Sequence, residues 1–163
     1  STGVHSNGFS LVRRAITERL SFEELTCPLE ELDGQTVLEA LLAPTRIYVK
    51  AILALLDAGM DVHAVAHITG GGITENLNRA LPDTLDAAIE LGSWDAVPII
   101  DYAVRAAGLS QEEAYKTFNM GLGMCVICDS KDAGAMTAAL EAAGERVFRV
   151  GRIVAGNGAV RYV

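Results

Sequence analysis

The sequence predicts an α+β fold in which a layered mixed sheet is flanked by helices. Segments with helical spacing of apolar residues alternate with short apolar runs of strand character. Near the end of the chain, Gly156-Asn157-Gly158 separates two strand-like segments and predicts a hairpin, which excludes a purely parallel sheet. Half of the 163 residues are hydrophobic and 21% are charged. We therefore expect residues 1–163 to form one packed domain.

The first part of the chain predicts three helices and a strand. Apolar spacing places the helices at 9–20, about 36–42 and 46–58, and the strand at 62–68, with an irregular stretch at 21–35. Ser10 or Asn7 is expected to cap the first helix. Pro44-Thr45 is expected at the entrance of the third helix, and Gly59 at its end.

The remainder of the chain predicts four helices and four strands. The helices are expected at about 73–80, 97–107, 110–117 and 131–143, and the strands at 84–91, 120–128, 146–154 and 159–163. Ser110 and Glu113 have the spacing of a capping box. The apolar run 120–128 is expected to be the central strand, and Gly144 is expected to close the last helix.

Composition and charge argue against nucleic-acid and membrane partners. The formal net charge is −8 and no Lys/Arg cluster is present, so we expect no nucleic-acid partner. No apolar run reaches the roughly 20 residues of a membrane span, so no membrane partner is expected. The chain starts without a methionine or a signal-peptide core, which suggests a domain of a longer protein.

The three cysteines favour structural roles in a reducing, cytoplasmic environment. Cys125 and Cys128 lie in an apolar run, and no second such pair or adjacent histidine accompanies them. We expect core positions for these thiols in preference to a redox or zinc site, and we predict no metal site.

Gly70-Gly71-Gly72 follows a predicted strand and precedes a predicted helix. In that position a backbone without side chains can approach an oxyanion, and the helix start supplies unpaired N–H donors. The segment lacks the lysine of a Walker loop and the spaced glycines of a dinucleotide site. A phosphate cradle and a purely structural turn both remain open.

Several polar side chains stand at predicted element ends. His67 lies at a strand end, where it could act on a ligand or serve as a hydrogen-bonded core group, and His63 is expected on the same face. His5-Ser6-Asn7-Gly8 is either a binding loop or an ordinary capped entry loop. Arg46, at a predicted helix start, is unfavourable to the helix dipole unless an anion accompanies it, which makes it a functional candidate.

Four sequence strings resemble the aminoimidazole ribonucleotide synthetase (phosphoribosylformylglycinamidine cyclo-ligase) family. They are Gly3-Val4-His5-Ser6-Asn7-Gly8-Phe9-Ser10-Leu11-Val12-Arg13, Leu42-Ala43-Pro44-Thr45-Arg46-Ile47-Tyr48-Val49-Lys50, Ala66-His67-Ile68-Thr69-Gly70-Gly71-Gly72 and Thr117-Phe118-Asn119-Met120-Gly121-Leu122-Gly123-Met124. They occur in the family's order and span nearly the whole chain.

The resemblance implies that residues 1–163 are the C-terminal domain of a longer two-domain enzyme that acts as a homodimer. It implies an absent N-terminal domain that binds most of the ATP and Mg²⁺, and a ribonucleotide substrate, formylglycinamidine ribonucleotide. The implied products are aminoimidazole ribonucleotide, ADP and phosphate. The isolated domain is then expected to be inactive, and the two alternatives are an ATP-dependent paralogue of the same superfamily and a non-catalytic phosphometabolite-binding module.

The family's strings also imply site residues in this chain. His5 and His67 become the candidate catalytic residues, and which of them moves a proton is left open. The implied substrate and phosphate ligands are Ser6, Asn7, Gly8, Thr45, Arg46, Thr69, Gly70, Gly71 and Gly72.

Overall fold

The computed structural model describes residues 1–163, which form two compact units. The first unit comprises 1–46, 68–76 and 95–123, and the second comprises 47–67, 77–94 and 124–163. None of the helices combines the length and the apolar character that crossing a bilayer requires.

Eight α-helices and five strands make up the regular structure. The helices are α1 Phe9–Val12, α2 Phe22–Thr26, α3 Val37–Leu41, α4 Val49–Asp57, α5 Gly72–Ala80, α6 Pro98–Ala107, α7 Gln111–Thr117 and α8 Ala133–Ala142. The strands are β1 Val62–His67, β2 Leu85–Ile89, β3 Met124–Cys128, β4 Gly151–Ala155 and β5 Val160–Tyr162. A π-helical turn, Arg13–Thr17, continues α1, and a 3₁₀ turn covers Glu30–Leu32.

The first unit is built around one apolar core. Buried side chains from α1, the π turn, α3 and α6 meet there, and the ring of Phe118 is 0% exposed at its centre. Phe118 follows directly after α7, whose start is fixed by the predicted capping box of Ser110 and Glu113. Full burial of one such large apolar side chain contributes about 1.5–3 kcal/mol. The end of α7 is therefore a rigid support for the loops around it.

The second unit contains two small sheets. β1 and β3 form an antiparallel pair, and a three-stranded sheet has the order β4-β2-β5, with β2 antiparallel to β4 and parallel to β5. This confirms the predicted α+β class with a mixed sheet. The prediction that 120–128 forms the central strand is wrong, because the strand begins at Met124 and pairs only with β1, whereas β2 has a partner on both sides.

The predicted terminal hairpin is also wrong. β4 and β5 lie on opposite sides of β2, and the turn between them crosses the start of that strand. Gly156 N–H donates to the Thr84 carbonyl at 2.9 Å, and Gly158 N–H donates to the Leu85 carbonyl at 3.2 Å. A glycine-asparagine turn lets the chain reverse direction tightly, but it does not determine which strands pair with each other.

Three further boundaries differ from the predictions. Residues 21–35, expected to be irregular, contain α2, because Ser21 and Glu24 form a capping box that starts a helix there. The first helix ends at Thr17, short of the predicted residue 20. α4 begins at Val49, three residues later than expected, and the Gly59 that follows it has a φ of +68°, as a helix-ending glycine does.

Candidate functional site

Three predicted binding segments belong to the first unit. They are the entry loop (residues 1–8), the proline stretch (44–46) and the glycine loop (68–72). The backbone N–H of Ile68 donates to the Gly123 carbonyl at 2.9 Å, which fixes the start of the glycine loop. All ten implied ligand and catalytic positions in these segments are polar residues or glycines, so the unit gathers polar groups at one set of loops.

The glycine loop leads into α5 with an unusual backbone. Gly71 has a φ of +93° and Gly72 a φ of +62°, conformations that L side chains rarely adopt. Gly72 N–H donates to the Thr69 carbonyl at 3.0 Å, but the N–H groups of Gly70 and Gly71 have no acceptor within the chain. These two donors stand immediately before a nine-residue helix, where the helix dipole favours negative charge.

The three glycines meet different surroundings. A Cβ on Gly72 would lie 2.0 Å from the Tyr115 carbonyl oxygen, so only glycine fits against the end of α7. A Cβ on Gly71 would meet the flexible side chain of Glu75. Gly70 is exposed, has no positive φ, and would place a Cβ in open space. Only glycine therefore fits at position 72, whereas the fold would accept a larger residue at position 70.

The entry loop joins the glycine loop through Asn7. Its side-chain amide is buried and donates to the Ile68 carbonyl at 3.2 Å. The prediction that Asn7 or Ser10 caps the first helix is wrong, because Gly8 occupies the N-cap position with a φ of +64° and no side-chain bond. A Cβ on Gly8 would lie 2.6 Å from the Phe118 ring, so this glycine is also required for close packing.

His5 is held inside the entry loop. It is 8% exposed and has a φ of +53°, which is uncommon for a residue with a side chain. The Thr2 N–H donates to His5 Nε2 at 3.2 Å, and Thr2 Oγ1 lies 2.9 Å from the same nitrogen. Thr2 therefore engages His5 Nε2 through both its backbone N–H and its hydroxyl oxygen. Ser6, the next residue, is exposed.

The proline stretch contacts the entry loop, since Thr2 Oγ1 donates to the Pro44 carbonyl at 2.8 Å. Thr45 is exposed and Arg46 is partly exposed. The expectation that Arg46 lies at a helix start is wrong, because α4 begins at Val49 and the preceding residues are not helical. The argument from the helix dipole therefore no longer applies to Arg46, which remains a candidate through its place beside the entry loop.

His67 lies in the second unit, as the last residue of β1. Its side chain is exposed, and its ring stands edge-on to Tyr48 with 6.1 Å between the ring centroids. The alternative of a buried core histidine is wrong for His67 and also for His63, which is exposed on the same strand. An exposed imidazole at a strand end can exchange protons with a ligand.

His63 lies beside two aspartates, and this cluster was not predicted from the sequence. Its Nε2 lies 3.4 Å from Asp61 Oδ2, and one side-chain atom each of Asp61, His63 and Asp129 lie within 4.8 Å of one another. All three side chains are exposed, and Asp129 also pairs with Lys131 at 3.5 Å. An exposed ion-pair cluster accounts for this arrangement.

The cysteines occupy non-catalytic surroundings. All three are free thiols, and burial raises the pKa of Cys125 to about 12. Burial, followed by the charges of Asp132 and Asp129, raises the pKa of Cys128. Because the thiolate is the reactive form, neither thiol is activated as a nucleophile or metal ligand.

Two buried asparagines that we did not predict hold the site loops. Asn119, 0% exposed, donates from Nδ2 to the Gly3 carbonyl at 2.9 Å and accepts from the Gly121 N–H at 2.8 Å. Asn76, 7% exposed, contacts carbonyls of the glycine loop. Asn76 could have been suspected from sequence, because asparagine is a poor helix former and bonds readily to nearby backbone.

The three loops together present donors and no carboxylates. Residues 1–8, 44–46 and 68–72 contain one arginine, hydroxyl groups and backbone N–H groups, but no aspartate or glutamate. Such a set suits a phosphorylated anion, because backbone donors and a guanidinium neutralise phosphate oxygens. One carboxylate from outside the loops, that of Glu75 in α5, lies beside Gly71.

Comparison with known proteins agrees with the resemblance seen in the four sequence strings. The chain is 49% identical over 154 residues to "Phosphoribosylformylglycinamidine cyclo-ligase" of Bifidobacterium animalis subsp. lactis (strain AD011), covering 94% of this chain and 44% of that protein. It is 43% identical over 157 residues to "Bifunctional purine biosynthetic protein purD" of Dictyostelium discoideum, covering 94% of this chain and 19% of that protein. The chain thus spans less than half the length of these relatives. Residues 1–163 match the family described as "AIR synthase related protein, C-terminal domain", and because this match covers the entire sequence, the chain belongs to that family.

Proposed function

We propose that this chain is the C-terminal half of an ATP-dependent cyclo-ligase of purine biosynthesis, which converts formylglycinamidine ribonucleotide to aminoimidazole ribonucleotide, ADP and phosphate. The observation that carries the proposal is the glycine loop, where Gly70 and Gly71 present backbone donors without an acceptor in the chain. The identity to a cyclo-ligase over 94% of the chain supports the choice of reaction.

In the proposed reaction, ATP activates the formyl amide oxygen and the amidine nitrogen then closes the imidazole ring as phosphate leaves. Catalysis of phosphoryl transfer depends mainly on positioning and on neutralising charge. We assign these tasks to the donors of the three loops. The assigned residues are Ser6, Asn7, Gly8, Thr45, Arg46, Thr69, Gly70, Gly71 and Gly72. Within the glycine loop, the Thr69 hydroxyl already donates to Asn76 and the Gly72 N–H to the Thr69 carbonyl, so the backbone donors left for a ligand are those of Gly70 and Gly71.

His67 is the better candidate for moving a proton. The Nε2 atom of His5 is already engaged by the N–H and the Oγ1 of Thr2, and the residue is buried. The ring of His67 is exposed and has no such bond at its nitrogens among the contacts that the structure shows. We therefore propose that His5 holds the entry loop in place and that His67 exchanges the proton.

ATP and Mg²⁺ are assigned mainly to a separate N-terminal domain. Mg²⁺ prefers several carboxylate and phosphate oxygens, and the three loops supply no carboxylate. The residues of this chain therefore do not fit a magnesium site at the loops, and we derive no step through the metal. We further propose that the intact enzyme is a cytoplasmic homodimer and that this chain alone has no turnover.

Gly70→Ala is expected to weaken binding of formylglycinamidine ribonucleotide to this chain by about tenfold without unfolding it, because a methyl group blocks close approach of a phosphate to the loop. Isothermal titration calorimetry gives the affinity and thermal unfolding checks the fold. Gly134→Ala is the matched control, since a Cβ there also meets open space, in helix α8. Equal affinity in the wild type and Gly70→Ala would contradict the assignment of the glycine loop.

The reaction itself is tested by joining this chain to the N-terminal part of the Bifidobacterium animalis cyclo-ligase. We expect the fusion, given ATP and Mg²⁺, to form aminoimidazole ribonucleotide and ADP in equal amounts, whereas the chain alone forms neither. ATP consumption without the aminoimidazole product would favour a paralogue with another acceptor. A folded fusion that binds the ribonucleotide but consumes no ATP would favour a non-catalytic binding module.

A further inference from the structure

Asn76 lies in the first turns of α5, with its side chain directed back at the glycine loop. Its Nδ2 donates to the Gly72 carbonyl at 2.7 Å and lies 3.3 Å from the carbonyl oxygens of both Thr69 and Gly70. Its Oδ1 accepts from the Thr69 hydroxyl at 3.2 Å. With only 7% of the residue exposed, both ends of the amide are occupied by the loop.

These contacts separate the carbonyl oxygens of the loop, which Asn76 binds, from the backbone N–H groups, which it leaves unused. A side-chain amide has two N–H hydrogens, so one serves Gly72 at a normal bond length and the other is shared between Thr69 and Gly70. Three carbonyl oxygens are thereby gathered around one nitrogen. The N–H groups of Gly70 and Gly71 are not used in this arrangement and have no acceptor in the chain.

An anion site needs this separation, since a carbonyl oxygen turned towards a phosphate would repel it and would displace an N–H donor. Polar groups fixed before binding also spare the ligand the cost of ordering them. We propose that Asn76 is the positioning residue of the glycine loop: it holds the loop carbonyls away from the ligand so that Gly70 and Gly71 present N–H donors to a phosphate monoester. This inference rests on the proposed function.

The experiment compares Asn76→Leu with the wild type in the 163-residue chain. Leucine has a similar volume but no donors, so the loop carbonyls lose their partner while the space remains filled. Asn78→Leu is the matched control on the same helix, because the buried Oδ1 of Asn78 has no hydrogen-bond partner to lose. ¹⁵N relaxation of the Gly70 and Gly71 amides reports loop order without ligand, and calorimetry with formylglycinamidine ribonucleotide reports affinity.

In Asn76→Leu we expect lower order parameters at Gly70 and Gly71 and an affinity about tenfold weaker, whereas Asn78→Leu leaves both unchanged. A purely structural role would lower the melting temperature without a selective change at these two amides. Unchanged order and affinity in Asn76→Leu would overturn the inference. If the wild-type chain does not bind the ribonucleotide, the phosphate assignment fails, and the relaxation data alone then decide whether Asn76 orders the loop.

Discussion

Gly72→Ala is expected to lower the free energy of unfolding by about 3–5 kcal/mol, one of the two largest effects that we predict. Two costs combine at this position. The residue must adopt a φ of +62°, and its Cβ would lie 2.0 Å from the backbone oxygen of Tyr115, which cannot move aside as a side-chain tip can. For a chain of this size we expect the melting temperature to fall by about 10–15 °C, measured by circular dichroism.

Two other glycines separate these costs. Gly34 has a φ of +81° but open space around its Cβ position, so Gly34→Ala tests the backbone conformation alone, with an expected cost of about 1 kcal/mol. Gly70→Ala tests neither cost and is expected to unfold like the wild type. If Gly72→Ala were no less stable than Gly34→Ala, the close approach of the glycine loop to α7 would be contradicted.

Local signals in the sequence were sufficient for most elements. Apolar spacing identified the helices that became α3, α5, α6, α7 and α8. The strands β1, β2 and β3 fall wholly inside the predicted ranges 62–68, 84–91 and 120–128, and β4 ends one residue beyond the predicted range 146–154. The fifth, β5, lies inside 159–163. Such signals act within a few residues, so they predict the type of an element better than its partners.

These local signals could not predict which strands, distant in sequence, pair with each other. The turn at 156–158 has hairpin chemistry, but Asp86, about 70 residues earlier in the chain, accepts hydrogen bonds from Asn157 in that turn and from Arg161 in β5. Tertiary contacts therefore decided the strand pairing. The start of α4 also differs from the prediction: Ile47, inside the predicted helix 46–58, is 78% exposed and lies ahead of the helix.

The resemblance and the run of glycines singled out the three loops as candidate binding segments, but they did not give the roles of the side chains. Asn7 was expected to cap a helix and instead bridges to the Ile68 carbonyl. Asn119 lies in one of the four sequence strings that resemble the family, and no role was predicted for it. It is fully buried and donates a hydrogen bond to the entry loop. A buried amide is informative only when its partners are known, and these partners lie far away in sequence.

Asp86→Ala is the second change with a large expected effect. The carboxylate is 1% exposed and accepts hydrogen bonds from the N–H groups of Asn157 at 2.7 Å and Ala159 at 2.8 Å, and from Arg161 Nε at 2.6 Å. Alanine would leave the two backbone donors unpaired and release β5 from the end of β2. We expect the melting temperature to fall by about 10 °C. Asp86→Asn keeps one acceptor oxygen and is expected to lose less, and equal stability of Asp86→Ala and wild type would contradict this role.

The same carboxylate predicts how stability depends on acid. The hydrogen bonds from Ala159 and Asn157, and then Arg161, lower the pKa of Asp86 from 3.8 to about 2. A carboxyl group whose pKa is lowered by folding stabilises the protein above the unfolded value, so its contribution is complete above about pH 4 and is lost as the pH falls towards 2. The capping glutamates Glu24, Glu39 and Glu113 also have lowered pKa values and add to the loss of stability in acid.

Melting temperatures of wild type and Asp86→Asn measured from pH 5 to pH 2 separate the contribution of Asp86 from that of the glutamates. The difference between the two proteins is expected to be constant near pH 5 and to shrink steadily below pH 4, whereas a constant difference down to pH 2 would mean that folding does not lower the pKa of Asp86.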